Sequence, residues 1–289
     1  GGLVGENIGA IAQSYSTGSV SGDSFVGGLV GNNGGVSIVT QSYSTGSVVG
    51  NGSYIGGLAG LNNGTITQSY ATGSVEGNDS ASFGVGGLVG DNRGTVIQSF
   101  STGSVVGSSH VGGLVGNNGG VSIVTQSYST GSVSGDVVVG GLVGSNGGVS
   151  TVTQSYSTGS VVGNGSYIGG LAGLNNGTIT QSYATGSVEG NDSATFGVGG
   201  LVGYNYGTVI QCYSTGVSVS GLMNVGGLIG YNNEDSSVIQ SYWDTETSGQ
   251  NSSSGGTGKT TAEMKQQATF AGWDFINIWG IINTNTYPY

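Results

Sequence analysis

The sequence predicts an all-β protein: a parallel β-solenoid (β-helix) of about nine rungs, closed at its C-terminal end by a small cap that contains one short helix. Composition leads there first. Glycine accounts for 64 of 289 residues, one residue is proline and only 6% are charged. Collagen would need glycine at every third position with abundant proline, and a disordered chain would lack the 15 tyrosines and the 35% of hydrophobic residues present here. The second observation is the pentapeptide Gly-Gly-Leu-Val-Gly, with Ala or Ile sometimes replacing Val. It starts at Gly1, Gly27, Gly56, Gly86, Gly112, Gly140, Gly169, Gly199 and Gly226, nine copies spaced 26 to 30 residues apart. The third is an anchor that keeps step with it, Gln-Ser-Tyr, at Gln13, Gln41, Gln68, Gln98, Gln126, Gln154, Gln181, Gln211 and Gln240, with Phe100 for Tyr once and Cys212 for Ser once.

A fixed period of this length is the mark of a repeat architecture. Within one repeat, short β-prone runs alternate with glycine, as from Gly64 to Val75 and again from Val85 to Gly90, and nothing in them favours a helix. A unit with about three short strands cannot bury its own apolar side, but copies stacked in parallel at about 4.7–4.9 Å per rung bury a continuous core. Nine rungs would make a rod of roughly 40 Å at that spacing. A larger unit of 113 residues is superimposed, because residues 39–81 recur unchanged as 152–194.

Taken along the repeat, the columns of the stack can be named. Leu3, Leu29, Leu58, Leu88, Leu114, Leu142, Leu171, Leu201 and Leu228 form one interior column. Ile11, Val39, Ile66, Val96, Val124, Val152, Ile179, Val209 and Val238 form a second, and Val20, Val48, Val75, Val105, Val133, Val161, Val188 and Val219 a third. Strict alternation would put Val26 and Leu29 on opposite faces, so the intervening Gly-Gly is expected to bend or bulge the chain and let both point inward. Just beyond this strand asparagine recurs, at Asn7, Asn33, Asn62, Asn92, Asn118, Asn146, Asn175, Asn205 and Asn232. This is a structural column: the amides either hydrogen-bond from rung to rung as a ladder or serve left-handed turns.

These residues, Gly-Gly-Leu-Val-Gly followed by Asn and then Gln-Ser-Tyr-Ser-Thr-Gly-Ser-Val, resemble the GLUG repeats of large bacterial and archaeal surface proteins, adhesin-like and secreted protease-associated chains among them. The likeness covers about residues 1 to 242. The segment around Tyr242-Trp243-Asp244, Thr260-Thr261-Ala262-Glu263-Met264 and Gly272-Trp273-Asp274-Phe275 also looks like the piece that often closes such arrays. The resemblance implies an extracellular β-solenoid with no assigned chemistry. It also implies that Cys212, where relatives often carry Asn-Cys in place of Gln-Ser, fills a small inward position and is not a reactive thiol.

After Tyr242 the repeat ends and the composition shifts, with Trp243, Trp273, Trp279, Lys259 and Lys265 all in this stretch. The chain therefore divides into a solenoid, 1–242, and a capping segment, 243–289. Thr260 and Glu263 are spaced as a capping box for a helix of about ten residues with Met264 and Ala268 on one face, and Phe275 to Ile282 is expected to pair as strands over the last rung. The sequence opens inside a repeat without methionine and reads as a piece of a longer or processed protein. An uncovered first rung would favour head-to-tail self-association.

Candidate chemistry is sparse. Three basic residues against 14 acidic ones leave a net charge of −11, which repels nucleic acid and anionic membranes, and no run of apolar residues is long enough to insert in a bilayer. A lone cysteine excludes intrachain disulfides and cysteine-based clusters. Gly255 to Thr260 looks like a phosphate-binding loop but has Ser253 where glycine is required and no preceding hydrophobic strand, so it reads as a flexible loop. His110 reads as a solvated side chain in a variable loop. Glu76, Asn78 and Asp79, repeated as Glu189, Asn191 and Asp192, group oxygen ligands for calcium without the glycine-aspartate nonapeptide of calcium solenoids, and read as acidic loops. No catalytic, metal or cofactor residues are assigned, and no enzyme activity is expected.

What remains is surface. If Ser69 and Ala71 point inward, Tyr15, Tyr43, Tyr70, Phe100, Tyr128, Tyr156, Tyr183, Tyr213 and Tyr242 form an outward aromatic row, beside Thr17, Thr45, Thr72, Thr102, Thr130, Thr158, Thr185 and Thr215. Such a strip either stabilises the sheet by cross-strand pairing or stacks on sugar rings or another surface. The function expected is that of an extracellular or cell-surface stalk, fibre or filament that self-associates head-to-tail or laterally. An adhesin binding glycans or another surface through the tyrosine/threonine strip is the alternative, and ice binding by the threonine row a lesser one.

Overall fold

A computed structural model describes residues 1–78, 83–191 and 196–289. The chain is a parallel β-solenoid whose turn holds five short strands, more than the three expected. In one turn they are Val30–Asn33, Ile38–Thr40, Tyr43–Ser44, Val48–Gly50 and Ile55–Gly56. They stack into five sheets of nine, nine, ten, eight and eight strands, so the rod has eight complete turns and three strands of a ninth, slightly short of nine full rungs. Pairing is parallel and joins like to like: Val30 to Ala59 to Val89, and Tyr43 to Tyr70 to Phe100.

The additional strand breaks come from backbone kinks that the repeat places at fixed positions. Every glutamine of Gln-Ser-Tyr lies in the left-handed region, with φ from 45° to 52°. A second left-handed column contains Phe25, Tyr54, His110, Val138, Tyr167 and Asn224, with Gly84 and Gly197 at the equivalent place in two turns. The asparagine column is absent from both sets.

Val26 and Leu29 are both buried, yet they do not share one core. Leu29, Val30 and Val39 belong to one apolar column, and Val26, Val48 and Ile55 to another. Gly27-Gly28 carries the chain between them. A Cβ on Gly27 would meet the Val30 carbonyl and the Ala59 Cα, and one on Gly28 would meet Ser44 and the Gly57 carbonyl. Only glycine lets the backbones of adjacent turns and the inward serine column approach this closely. Leu3 at the first turn is half exposed, while Leu29 to Leu228 of the same column are fully buried.

The C-terminal segment departs from expectation in three ways. It has two one-turn helices, Thr245–Ser248 and Thr261–Met264, plus a 3₁₀ turn at Gln267–Thr269, and no helix of ten residues. The Thr260–Glu263 capping box is formed, but a single turn suffices because Met264 then drops into an aromatic cluster with Phe270, Trp273 and Trp279. Residues 275–282 form no strand. The strand is instead Thr257–Lys259, which pairs with Tyr242–Asp244 and lengthens the third sheet, so the glycine-rich stretch that resembled a flexible phosphate loop is partly sheet. Ser252 to Ser254 also bond to Gly227 and Ile229 of the last turn. Beyond Lys259 the segment folds back along the side of the rod and lies on its aromatic face.

Candidate functional site: the tyrosine face and the cleft beside the tail

The aromatic face is built by the kink before it. With glutamine left-handed, the N–H of the following serine leaves the sheet ladder and donates to the serine hydroxyl one turn on, at 3.1–3.2 Å, from Ser14 through Ser155 and again from Cys212 to Ser241. Each of these hydroxyls donates in turn to the carbonyl two residues before it. The serine is thereby fixed inward and the next residue, tyrosine, outward.

Tyr15, Tyr43, Tyr70, Phe100, Tyr128, Tyr156, Tyr183 and Tyr213 form a continuous stack, with ring centroids 4.9–5.2 Å apart and planes within 2–8° of parallel. The ring faces are turned toward one another. Solvent meets mainly their edges and hydroxyls. Tyr242 leaves the stack and packs edge-on against Phe270. The threonine row is exposed from Thr17 to Thr158, half covered at Thr185 and buried at Thr215.

The tail causes that change. Tyr213 is buried beneath it and donates its hydroxyl to the Pro288 carbonyl at 2.5 Å. Buried Asp244 is the anchor: it caps the Thr245–Ser248 helix and accepts from Thr261 Oγ1 at 2.7 Å and from the Tyr287 hydroxyl at 2.8 Å. Trp273 donates to the Gln240 carbonyl at 3.0 Å and Gln211 to the Gly272 carbonyl at 2.7 Å.

Where the tail stops short of the older turns, it leaves a cleft of about 290 Å³ lined by Gln126, Gln154, Gln181, Tyr156, Tyr183, Trp279, Tyr289, Asn277 and Ile278. No side chain that lines it is charged. Burial, followed by the neighbouring tyrosine, raises the Tyr156 and Tyr183 hydroxyls above their usual range, Tyr183 to about 12, so both are neutral at physiological pH. The glutamines donate from one turn to the next at 3.3–3.4 Å, Gln126 to Gln154 to Gln181 to Gln211. Trp279 is buried and its Nε1 has no acceptor. Sequence reasoning named the tyrosines of this wall but missed the glutamine kink, although one glutamine at the same place in every turn was its visible signal.

The asparagine column faces inward on another side. Its amides run as a ladder from Asn7 through Asn33, Asn62, Asn92, Asn118, Asn146, Asn175 and Asn205 to Asn232, each Nδ2 donating to the next Oδ1 at 2.7–2.9 Å. Ser37 and Ser122 add their hydroxyls to the Asn33 and Asn118 carbonyl oxygens.

The remaining candidates separate from this face. Cys212 is fully buried, which pushes its thiol up to about 12. His110 is half-buried and not the loop side chain expected: it lies in the strand Ser109–Gly112, 2.8 Å from the Ser109 hydroxyl and against the Phe83 ring, and burial lowers its pKa to about 4. Glu76 and Asn78 are exposed, whereas Asp79 and Asp192 lie outside the described residues. Among the described residues no three His, Cys, Asp or Glu side chains gather as a metal site, and no helix is long and apolar enough to cross a membrane.

Residues 51–76, 164–189 and 194–220 match the GLUG motif. The chain is a β-solenoid that carries three GLUG motifs. The first two matches fall in the duplicated blocks and the third in the turn that follows. A protein of Evansella cellulosilytica, provisionally named a Gly-rich membrane protein, is 46% identical over 54 residues, 18% of this chain and 6% of that protein's length. The matched segment is thus a small fraction of that relative. No solved structure matches the chain significantly. A β-solenoid with GLUG motifs is a structural fold.

Proposed function

We propose that this GLUG-repeat chain is a non-enzymatic stalk segment of an extracellular or cell-surface protein, and that its rods associate side by side. The asparagine ladder carries the reading. Eight amide bonds of 2.7–2.9 Å tie every turn to the next. Parting two turns breaks a sheet ladder and also leaves buried amides unpaired, which makes the rod stiff along its length. Repeats that repeat only their neighbours' contacts provide length and rigidity and do not gather the acid, base and positioning groups that turnover requires.

The surface location rests on the GLUG motif and on the name of the relative. Side-by-side association rests on charge. A net charge of −11 holds copies apart, but the tyrosine and threonine rows are uncharged and offer hydroxyls and ring edges to a neighbour. Raising salt screens the repulsion within a Debye length of about 10 Å at 0.1 M. Small-angle scattering should therefore show an elongated particle, and the mass by light scattering should rise with salt and fall in a Tyr70→Ser/Tyr128→Ser variant. A compact particle would overturn the stalk reading. A mass indifferent to salt and to these substitutions would overturn lateral association.

A further inference from the structure

We propose that the cleft between the tail and the tyrosine face binds a neutral oligosaccharide that lies along the glutamine column. The inference stands apart from the stalk reading, since a stiff rod needs no such pocket.

The stacked tyrosines cannot by themselves serve as a sugar platform, because each face is covered by the next ring at about 4.9 Å. The stack is altered only where the tail arrives. There Trp279 meets Tyr183 at a 47° tilt with centroids 6.2 Å apart, so the ring wall turns a corner and opens a concave surface with Tyr289 on its outer side. Tyr289 is held in place by reciprocal backbone bonds with Gly280 at 2.8 and 2.9 Å.

The polar groups along this wall are incompletely used. A primary amide has two N–H donors and a carbonyl oxygen with two lone pairs. Gln154 and Gln181 each donate one N–H and accept one bond within their column, so each retains a donor and an acceptor at intervals of one rung. Trp279 belongs to the same wall, and its buried Nε1–H has no acceptor within the protein, an uncommon condition. Alternating donors and acceptors beside aromatic carbon match a sugar, whose hydroxyls both donate and accept and whose C–H face is apolar. The lining side chains offer no charge for ion pairing, and the acidic chain disfavours polyanions. A hydrocarbon ligand would strand the amides. The volume of about 290 Å³ suits a short stretch of a glycan.

The test is titration of the whole chain with cellohexaose, xylohexaose, maltohexaose and chitohexaose, and with oligogalacturonate as the anionic comparison, followed by calorimetry and tryptophan fluorescence. At least one neutral oligosaccharide should bind and shift the emission. Tyr156→Ala and Tyr289→Ala should each weaken binding by about tenfold, the equivalent of roughly 1.4 kcal/mol for one lost aromatic contact. Gln154→Met, which preserves shape and removes the spare donor and acceptor, should weaken it as well, and guards against a tyrosine variant that misfolds. Tyr43→Ala, on the same column far from the cleft, should leave it unchanged. The proposal is overturned by no binding to any neutral oligosaccharide, by equal binding of oligogalacturonate, by binding that survives the three cleft variants, or by binding lost equally in Tyr43→Ala.

Discussion

Asn118 shows what one residue does in this rod. It accepts from Asn92 Nδ2 at 2.8 Å and from Ser122 Oγ at 2.7 Å, and donates to Asn146 at 2.9 Å, all without solvent. Asn118→Ala removes these three bonds together with a longer one to the Thr151 carbonyl and leaves buried polar groups unpaired, so a loss of about 2–4 kcal/mol is expected in chemical denaturation. Asn118→Asp should be at least as harmful at neutral pH, because a carboxylate can accept from Asn92 but cannot donate to Asn146 and carries an unpaired buried charge. The same change at Asn7, which sits at the rim and donates to Asn33 alone within the ladder, should cost less. If all three variants melt like the parent, the ladder is not a source of stability. The column itself was readable in the sequence, since asparagine returned at one place in every turn. The glutamine column was equally visible, but its left-handed backbone was not, because glutamine has no intrinsic preference for that region and the conformation is imposed by the serine bonds between turns.

At the scale of the element, Gly-Gly and the inward serine column form one packing unit. A Cβ on Gly87 would meet the Gly113 carbonyl and the Ser101 side chain. Gly87→Ala should therefore destabilise by about 1–3 kcal/mol through overpacking against backbone that cannot move aside. Ser101 is the opposite case. Its buried hydroxyl has no hydrogen-bond partner, as is true of Ser44, Ser129, Ser157 and Ser214, while two other turns carry Ala71 and Ala184 at this position. Ser101→Ala should then be neutral or stabilising, since it removes an unsatisfied hydroxyl and keeps the shape. A melting point that falls for Ser101→Ala as far as for Gly87→Ala would mean that the hydroxyl is bonded and the column misread. The Gly-Gly dipeptide announced a bend in the sequence, but it could not say that the bend separates two apolar columns, because which side chains lie across a glycine depends on the path of the neighbouring turns.

Among the described residues of the whole molecule, contacts run from turn to turn, and the tail departs from this. A quasi-one-dimensional array loses stability locally, as a sum of units and neighbour interfaces. Trp273 and Trp279 belong to the tail cluster with Met264 and Phe270, whereas Trp243 is part of the solenoid core. Tryptophan fluorescence therefore reports mostly on the tail, and far-ultraviolet circular dichroism on the sheets. In guanidinium the fluorescence transition should come at lower denaturant than the dichroism transition. Coincident transitions would show that the tail and the rod unfold as one unit, and would make the cleft a rigid part of the solenoid.

The sequence by itself determined the parallel solenoid, the approximate number of turns, the leucine and valine columns and the serine-in, tyrosine-out order, because each of these repeats a contact between a residue and its own equivalent one turn on. A periodic pattern states such contacts directly. Tertiary structure alone decided the five-strand turn, the two separate apolar columns and the placing of the tail on the tyrosine face. That last arrangement joins residues with no common period, such as Tyr213 and Pro288, 75 positions apart. Their meeting depends on the angle at which the chain leaves the last rung, set by Asp244 and the Thr257–Lys259 strand, and it is this unrepeated contact that turns a uniform aromatic column into a cleft.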